Sequence, residues 1–203
     1  VLNTLKNANL ELCSLQMSHI CLANLLEMEI RKLTNKQLLI SLELLDEFSQ
    51  FIIFDSSGPI LLKRFGSIRN YPTIEERISL ENESENDNKQ QNNYHPISKL
   101  DLKVLTREIK DAFANFLKLN ELDLEGIIFL SGRNSQHKNL VKVLGESLNM
   151  SVSLISPIGN PRLREFEYDP DKIDQFSMSR IIGLGISLLR EDYIENLNDE
   201  NNF

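Results

Sequence analysis

The first part of the chain shows a helical spacing of apolar residues that gives way to strand-like runs. After Ser18, apolar positions recur every three or four residues, at Ile20, Ala23, Leu26 and Ile30. This spacing predicts an amphipathic helix, with a short strand in the Leu-rich stretch before it. Residues 37–45, 48–55 and 59–68 then form three strand-like runs. The turn residues Ser56-Ser57-Gly58 separate the last two runs and predict an antiparallel meander.

The pattern changes completely after this meander. Residues 81–93 contain no apolar side chain, so they cannot offset the entropy of their own ordering. The composition predicts a flexible polar linker over residues 69–98.

Hydrophobic periodicity resumes at residue 98. Ser98 and Asp101 fit a capping box, and an apolar stripe follows at Leu105, Ile109, Ala112, Phe113, Phe116 and Leu117. Residues 126–130 are apolar throughout, as in a strand covered on both faces, and Ser131-Gly132 ends the run. We predict that Ser135 caps the next helix and that residues 151–155 form a further strand. This order indicates a parallel βαβ unit, hence an α/β fold with an attached antiparallel meander.

Charge and composition narrow the functional classes. The 203 residues carry 22 basic and 30 acidic side chains, a net charge of −8, which argues against nucleic-acid binding. Acidic residues interrupt every long apolar run, so no transmembrane helix is predicted. Cys13 and Cys21 form no CxxC motif, so we expect a reducing cytosol. The chain opens at Val1 within an apparent element, and we interpret it as a fragment.

Few residues suggest chemistry. The strand, turn and helix at residues 128–135 could present free backbone N–H groups to an anion, although the favoured interpretation of Ser131-Gly132 is a simple turn from strand to helix. The three histidines are far apart, and we assign no metal. The carboxylates Glu43, Asp46, Glu47 and Asp55 could hold a cation if they converged, but strand alternation favours a solvated surface for them.

Several strings resemble the C-terminal half of the PilM family of type IV pilus assembly proteins, which are actin-like and related to FtsA. The matching stretches are residues 5–12, 52–59, 107–110, 128–135 and 182–190. The resemblance implies an actin-like, ribonuclease H-like ATPase-type domain. It divides the chain into the end of a first lobe with a connecting helix (1–31), the meander of a second lobe (37–68), the linker (69–98), the helix and βαβ unit completing that lobe (99–156), a loop and returning helix (157–190), and a disordered tail (191–203).

The resemblance also implies a site and a partner. If nucleotide binding is retained, Ser131, Gly132, Arg133, Arg107 and Glu108 would surround ATP with Mg²⁺. The partner would be an inner-membrane, PilN-like pilus assembly protein that presents a cytoplasmic peptide, which makes this chain cytoplasmic and peripheral to the membrane.

The departures from the family pattern concern phosphate handling. Residues 44–46 read Leu-Leu-Asp where the family has Asp-x-Gly, and Gln50 stands in place of a Thr. Arg133 replaces the second Gly of the adenosine motif, where it could stack on a base or fill the site. No catalytic residue is assigned. We therefore favour a scaffold with weakened or lost nucleotide binding over an active ATP-dependent switch, with an FtsA-like filament subunit as a third possibility.

Overall fold

The computed structural model describes residues 17–76, 97–160, 163, 169 and 172–187. The strand predicted before residue 17, most of the polar linker and the predicted tail at 191–203 lie outside these residues. In the part of the chain that is described, no helix is long and apolar enough to cross a membrane.

The described elements follow the order that periodicity predicted. They are α1 (Ser18–Ile30), β1 (Gln37–Leu44), β2 (Phe48–Asp55), β3 (Gly58–Gly66), α2 (Lys99–Leu119), β4 (Glu125–Ser131), a 3₁₀ helix (Arg133–Gln136), α3 (Leu140–Leu148) and β5 (Ser151–Leu154), followed by helical residues 179–187. The capping prediction for α2 is confirmed, because the Asp101 backbone N–H donates to Ser98 Oγ at 3.0 Å.

The five strands form one mixed sheet in the order β3-β2-β1-β4-β5. Strand β2 is antiparallel to both of its neighbours, whereas β4 is parallel to β1 and to β5. Ile40 lies opposite Ile53 on one side and Ile128 on the other. The meander and the βαβ unit are therefore halves of a single sheet.

Strand alternation divides the core into two layers. Ile40, Leu42 and Leu44 point to the face that α2 and α3 cover, whereas Leu39 and Ile52 point to the opposite face. That second face is covered by α1 and by the helical residues 179–187, which contribute Ile186. Helices on both sides explain why β1 reads as a nearly continuous apolar run.

The start of α3 differs from the prediction. Ser135 does not cap this helix; its hydroxyl donates to the Gly132 carbonyl at 2.6 Å within the 3₁₀ helix. Asn139 has the left-handed φ of 65°, which separates the two helices, and α3 begins at Leu140. The cause is local. The Ser135 hydroxyl is hydrogen-bonded within the 3₁₀ helix and is therefore not available to cap the N-terminus of α3.

The first residues of the predicted linker contact the sheet domain. His137 Nε2 donates to the Arg69 carbonyl at 2.6 Å, and Asn134 Oδ1 accepts from the Tyr71 backbone N–H at 2.7 Å. Arg69 and Tyr71 are thus held against the 3₁₀ helix and the residue that follows it, whereas residues 77–96 lie outside the described part.

Candidate functional site

A row of polar side chains crosses the three central strands where β1 and β4 end. Glu43 lies opposite Gln50 of β2 and Ser131 of β4, so all three side chains share the face that α1 covers. Each is almost completely buried, with an exposed fraction of at most 2%. The carboxyl ends of parallel strands are where α/β folds bind ligands, so this row is the candidate site.

Arg180 covers this row from the helical residues 179–187. Its Nη2 donates to Glu43 Oε2 at 2.6 Å and to Gln50 Oε1 at 2.9 Å, and its Nε lies 3.1 Å and 2.9 Å from the two Glu43 carboxylate oxygens. Burial raises the pKa of Glu43, and the hydrogen bonds and charge of Arg180 oppose that shift. The pair neutralises a charge that the core could not otherwise hold.

Three buried polar atoms beside this pair have no hydrogen-bond partner among the described residues. They are Ser41 Oγ, Gln50 Nε2 and Ser131 Oγ. Ser41 precedes Glu43 by two positions on the same strand, so its hydroxyl faces the same side of the sheet. Buried polar groups normally have partners, so such a cluster is typical of a site that accepts water or a polar ligand.

A second ion pair joins the turn after β4 to the β1–β2 loop. Arg133 Nη2 lies 2.6 Å from Asp46 Oδ2, and only 18% of the Arg133 side chain is exposed. Gly132 has a φ of +81°, and a Cβ on it would lie 2.4 Å from the Leu44 carbonyl oxygen. Asn134 Nδ2 also donates to the Leu45 carbonyl at 2.9 Å. Arg133 therefore points to the β1–β2 loop, where it is paired with Asp46.

The solvated-surface prediction holds for Asp46 and Glu47, which are both exposed. That prediction is wrong for Glu43, which is buried and paired with a residue 137 positions away. It also missed the pairing of Asp46 with Arg133. Asp55 instead stabilises the hairpin turn, where its Oδ1 accepts from the Ser57 N–H at 2.7 Å. Within the described ranges, no group of three His, Cys, Asp or Glu side chains is arranged to hold a metal ion.

The predicted nucleotide-site residues fall on two different surfaces. Ser131, Gly132 and Arg133 lie together at the sheet edge. Arg107 and Glu108 are exposed on α2, where Arg107 is 84% exposed and lies 3.6 Å from Asp111 on the same helix. The role of all five in nucleotide binding remains a prediction.

Arg180 was missed at the sequence level, and Glu43 and Gln50 were named there without the contacts that join them to it. One signal could have indicated the pairing of Glu43, because Glu43 is the only charged residue in the buried strand QLLISLEL. A charge in such a strand requires a partner. Nothing in the local sequence indicates that the partner is Arg180.

Strand order, strand direction and the helices on both faces define an α/β domain of the actin-like ATPase fold. The "PilM-PilN type IV pilus biogenesis complex" matches with a TM-score of 0.60 and 15% identity, over 92% of this chain and 55% of that chain. The ethanolamine utilization protein EutJ from Carboxydothermus hydrogenoformans gives a TM-score of 0.49 and 11% identity, over 91% and 58%. MreB 5 of Spiroplasma citri bound to AMPPNP gives 0.48 and 12%, over 99% and 66%.

These similarities concern the fold. The chain spans little more than half the length of the chain in the PilM–PilN complex. It matches no family model and no curated protein by sequence.

Proposed function

We propose that this chain is the second lobe of a PilM-like scaffold of type IV pilus assembly, in which nucleotide binding is weakened or lost. In this proposal it works in the cytoplasm and reaches the inner membrane only through a PilN-like partner protein. The similarity to a structure named as a PilM–PilN complex supports the partner, and the match covers 92% of the chain. The resembled family binds the partner peptide through its first lobe, so this lobe would have a structural task.

The proposed loss of nucleotide binding is supported by the ion pairs at the candidate site. A triphosphate needs free cationic and N–H donors, and its magnesium needs free carboxylate oxygens. Arg180 engages both oxygens of Glu43, and Arg133 is paired with Asp46. Both arginines at this edge of the sheet are thus paired with a carboxylate, and of the Arg133 guanidinium the buried Nε has no partner among the described residues.

The fit of ATP and magnesium can be judged from the same contacts. A nucleotide would have to separate Arg180 from Glu43 and leave that carboxylate buried without its partner. Separating a buried pair is unfavourable, by about 3–5 kcal/mol when one partner is removed. The donor set present does not fit a magnesium triphosphate, and we derive no hydrolytic step from it.

A second candidate function, an ATP-binding switch of the actin-like superfamily, is favoured by one observation. The hydroxyl of Ser131 is buried without a partner, beside the tight turn at Gly132. A ligand hydroxyl or phosphate could use such a donor.

Two measurements on the natural protein that contains these residues separate the candidates. Co-purification with a membrane-anchored pilus component supports the scaffold, and failure to recover one removes the main support for it. Calorimetric titration with MgATP should give no heat of binding up to millimolar concentrations. Micromolar affinity would instead establish the switch.

A further inference from the structure

We propose that the groove between α2 and α3 binds a short acidic segment of a partner protein. The groove has a volume of about 420 Å³ and lies on the outer side of the helical layer. Four basic residues of α2 line it: Lys99, Lys103, Arg107 and Lys110. The groove shares no residue with the row around Glu43, but its lining includes Arg107, one of the residues that the resemblance assigned to nucleotide binding.

The charge of the groove is opposite to that of the chain. The chain as a whole has a net charge of −8, but the groove lining holds four cations and one carboxylate, Asp111, for a local balance of 4 − 1 = +3. Asp111 lies 3.6 Å from Arg107. Among the described residues, no ion pair involves Lys99, Lys103 or Lys110. Three of the four cations are therefore available to a ligand.

The spacing of the cations sets the size of the ligand. Positions 99, 103, 107 and 110 follow one face of α2, at intervals of three and four residues. At 1.5 Å per residue, the eleven steps from the first to the last cover about 16 Å. An extended peptide covers that length with about five residues. A short acidic segment therefore matches the length of the groove. A long polyanion would extend beyond the groove onto a surface whose net negative charge repels it.

The apolar part of the lining favours a peptide over a phosphate polymer. Leu102 of α2 and Val143 of α3 line the groove beneath the cations. An apolar side chain of a peptide gains free energy by covering them, which phosphate groups cannot do. The negative charge of the rest of the chain also disfavours nucleic acid. We therefore assign the groove to an acidic peptide with at least one large apolar side chain.

The test uses a fluorescent peptide of about eight residues that combines aspartates and glutamates with two leucines. Fluorescence anisotropy should show saturable binding that weakens as salt is added. The variant K103E/R107E should bind about tenfold more weakly or worse, because two attractive charges become repulsive. The matched control K118E/K142E changes the net charge equally at exposed positions outside the groove and should retain nearly full affinity. Circular dichroism verifies the folding of both.

Several results would overturn the proposal. Absence of peptide binding at millimolar concentration would do so, as would an equal loss in both double variants. Equal affinity for inorganic polyphosphate or for a leucine-free peptide would indicate a general polyanion site. Peptide binding that appears only in the variant E81Q/E83Q/E85Q would identify the occupant as an acidic segment of this chain instead of a partner.

Discussion

Replacing Arg180 with methionine tests whether the buried ion pair holds helical residues 179–187 on the sheet. The Glu43 side chain is only 3% exposed, so the substitution leaves a carboxylate in the core without its partner. Removing one member of a buried pair costs about 3–5 kcal/mol. Because Arg180 is 33% exposed, solvent screens part of its charge. We therefore expect R180M to lower the free energy of unfolding by about 2–3 kcal/mol at neutral pH.

A double variant separates the charge from the packing. In E43M/R180M no charge stays buried, so the loss should be smaller than in R180M alone, within about 1 kcal/mol of the wild type. Both variants remove the hydrogen bond to Gln50, so that contribution cancels in the comparison. R107M removes an exposed arginine and should stay within about 0.5 kcal/mol of the wild type.

The pH dependence of the R180M defect has a definite sign. Burial already raises the pKa of Glu43 above its ordinary value of 4.5, and loss of Arg180 removes the opposing influence. The folded state of R180M then binds a proton more readily than the unfolded state does. The stability lost at pH 7 should therefore return as the pH falls towards 5.

Urea denaturation followed by circular dichroism at both pH values measures these free energies. This role of the ion pair is refuted if the free energy of unfolding of R180M lies within about 0.5 kcal/mol of that of the wild type. It is equally refuted if E43M/R180M is as unstable as R180M, since the charge would then contribute nothing.

Two further predictions concern the turn after β4 and the segment that follows β3. G132A should lower the free energy of unfolding by about 3 kcal/mol or more, because a Cβ would lie 2.4 Å from the Leu44 carbonyl oxygen at a φ of +81°. The control G66A places its Cβ in open space and should change the free energy of unfolding little in the same urea assay. Burial lowers the pKa of His137 below its usual 6.5, so the neutral ring donates to Arg69 and stability should fall as the pH drops below that value. The variant H137Q keeps a hydrogen-bond donor but has no titrating ring. If its stability between pH 7 and about 5.5 depended on pH as strongly as that of the wild type, His137 would not be the titrating group.

The strands and helices could be predicted because their apolar residues keep the period of their elements. The helix α2 is an example, since Ser98 and the stripe from Leu105 onward fix its start and its buried face. The parallel pairing of β4 with β5 follows from the βαβ order. These are local signals that need no knowledge of distant contacts.

The site was harder to predict because its pairs are not local. Arg180 and Glu43 are 137 positions apart, and Arg133 and Asp46 are 87 apart. Strand alternation predicts on which face of the sheet a carboxylate lies, but not which residues cover that face. The prediction that α3 begins at Ser135 was wrong for another reason. A serine before an apolar stripe is compatible with a 3₁₀ turn as well as with a helix cap.

A crystal structure of the natural protein grown with a magnesium complex of a non-hydrolysable ATP analogue shows directly whether a triphosphate binds at the edge where β1 and β4 end. We expect the guanidinium of Arg180 to stay within hydrogen-bond distance of Glu43 and no triphosphate density to lie at the ends of β1 and β4. Density for the triphosphate at that edge, with Arg180 displaced from the carboxylate, would contradict the proposed loss of nucleotide binding.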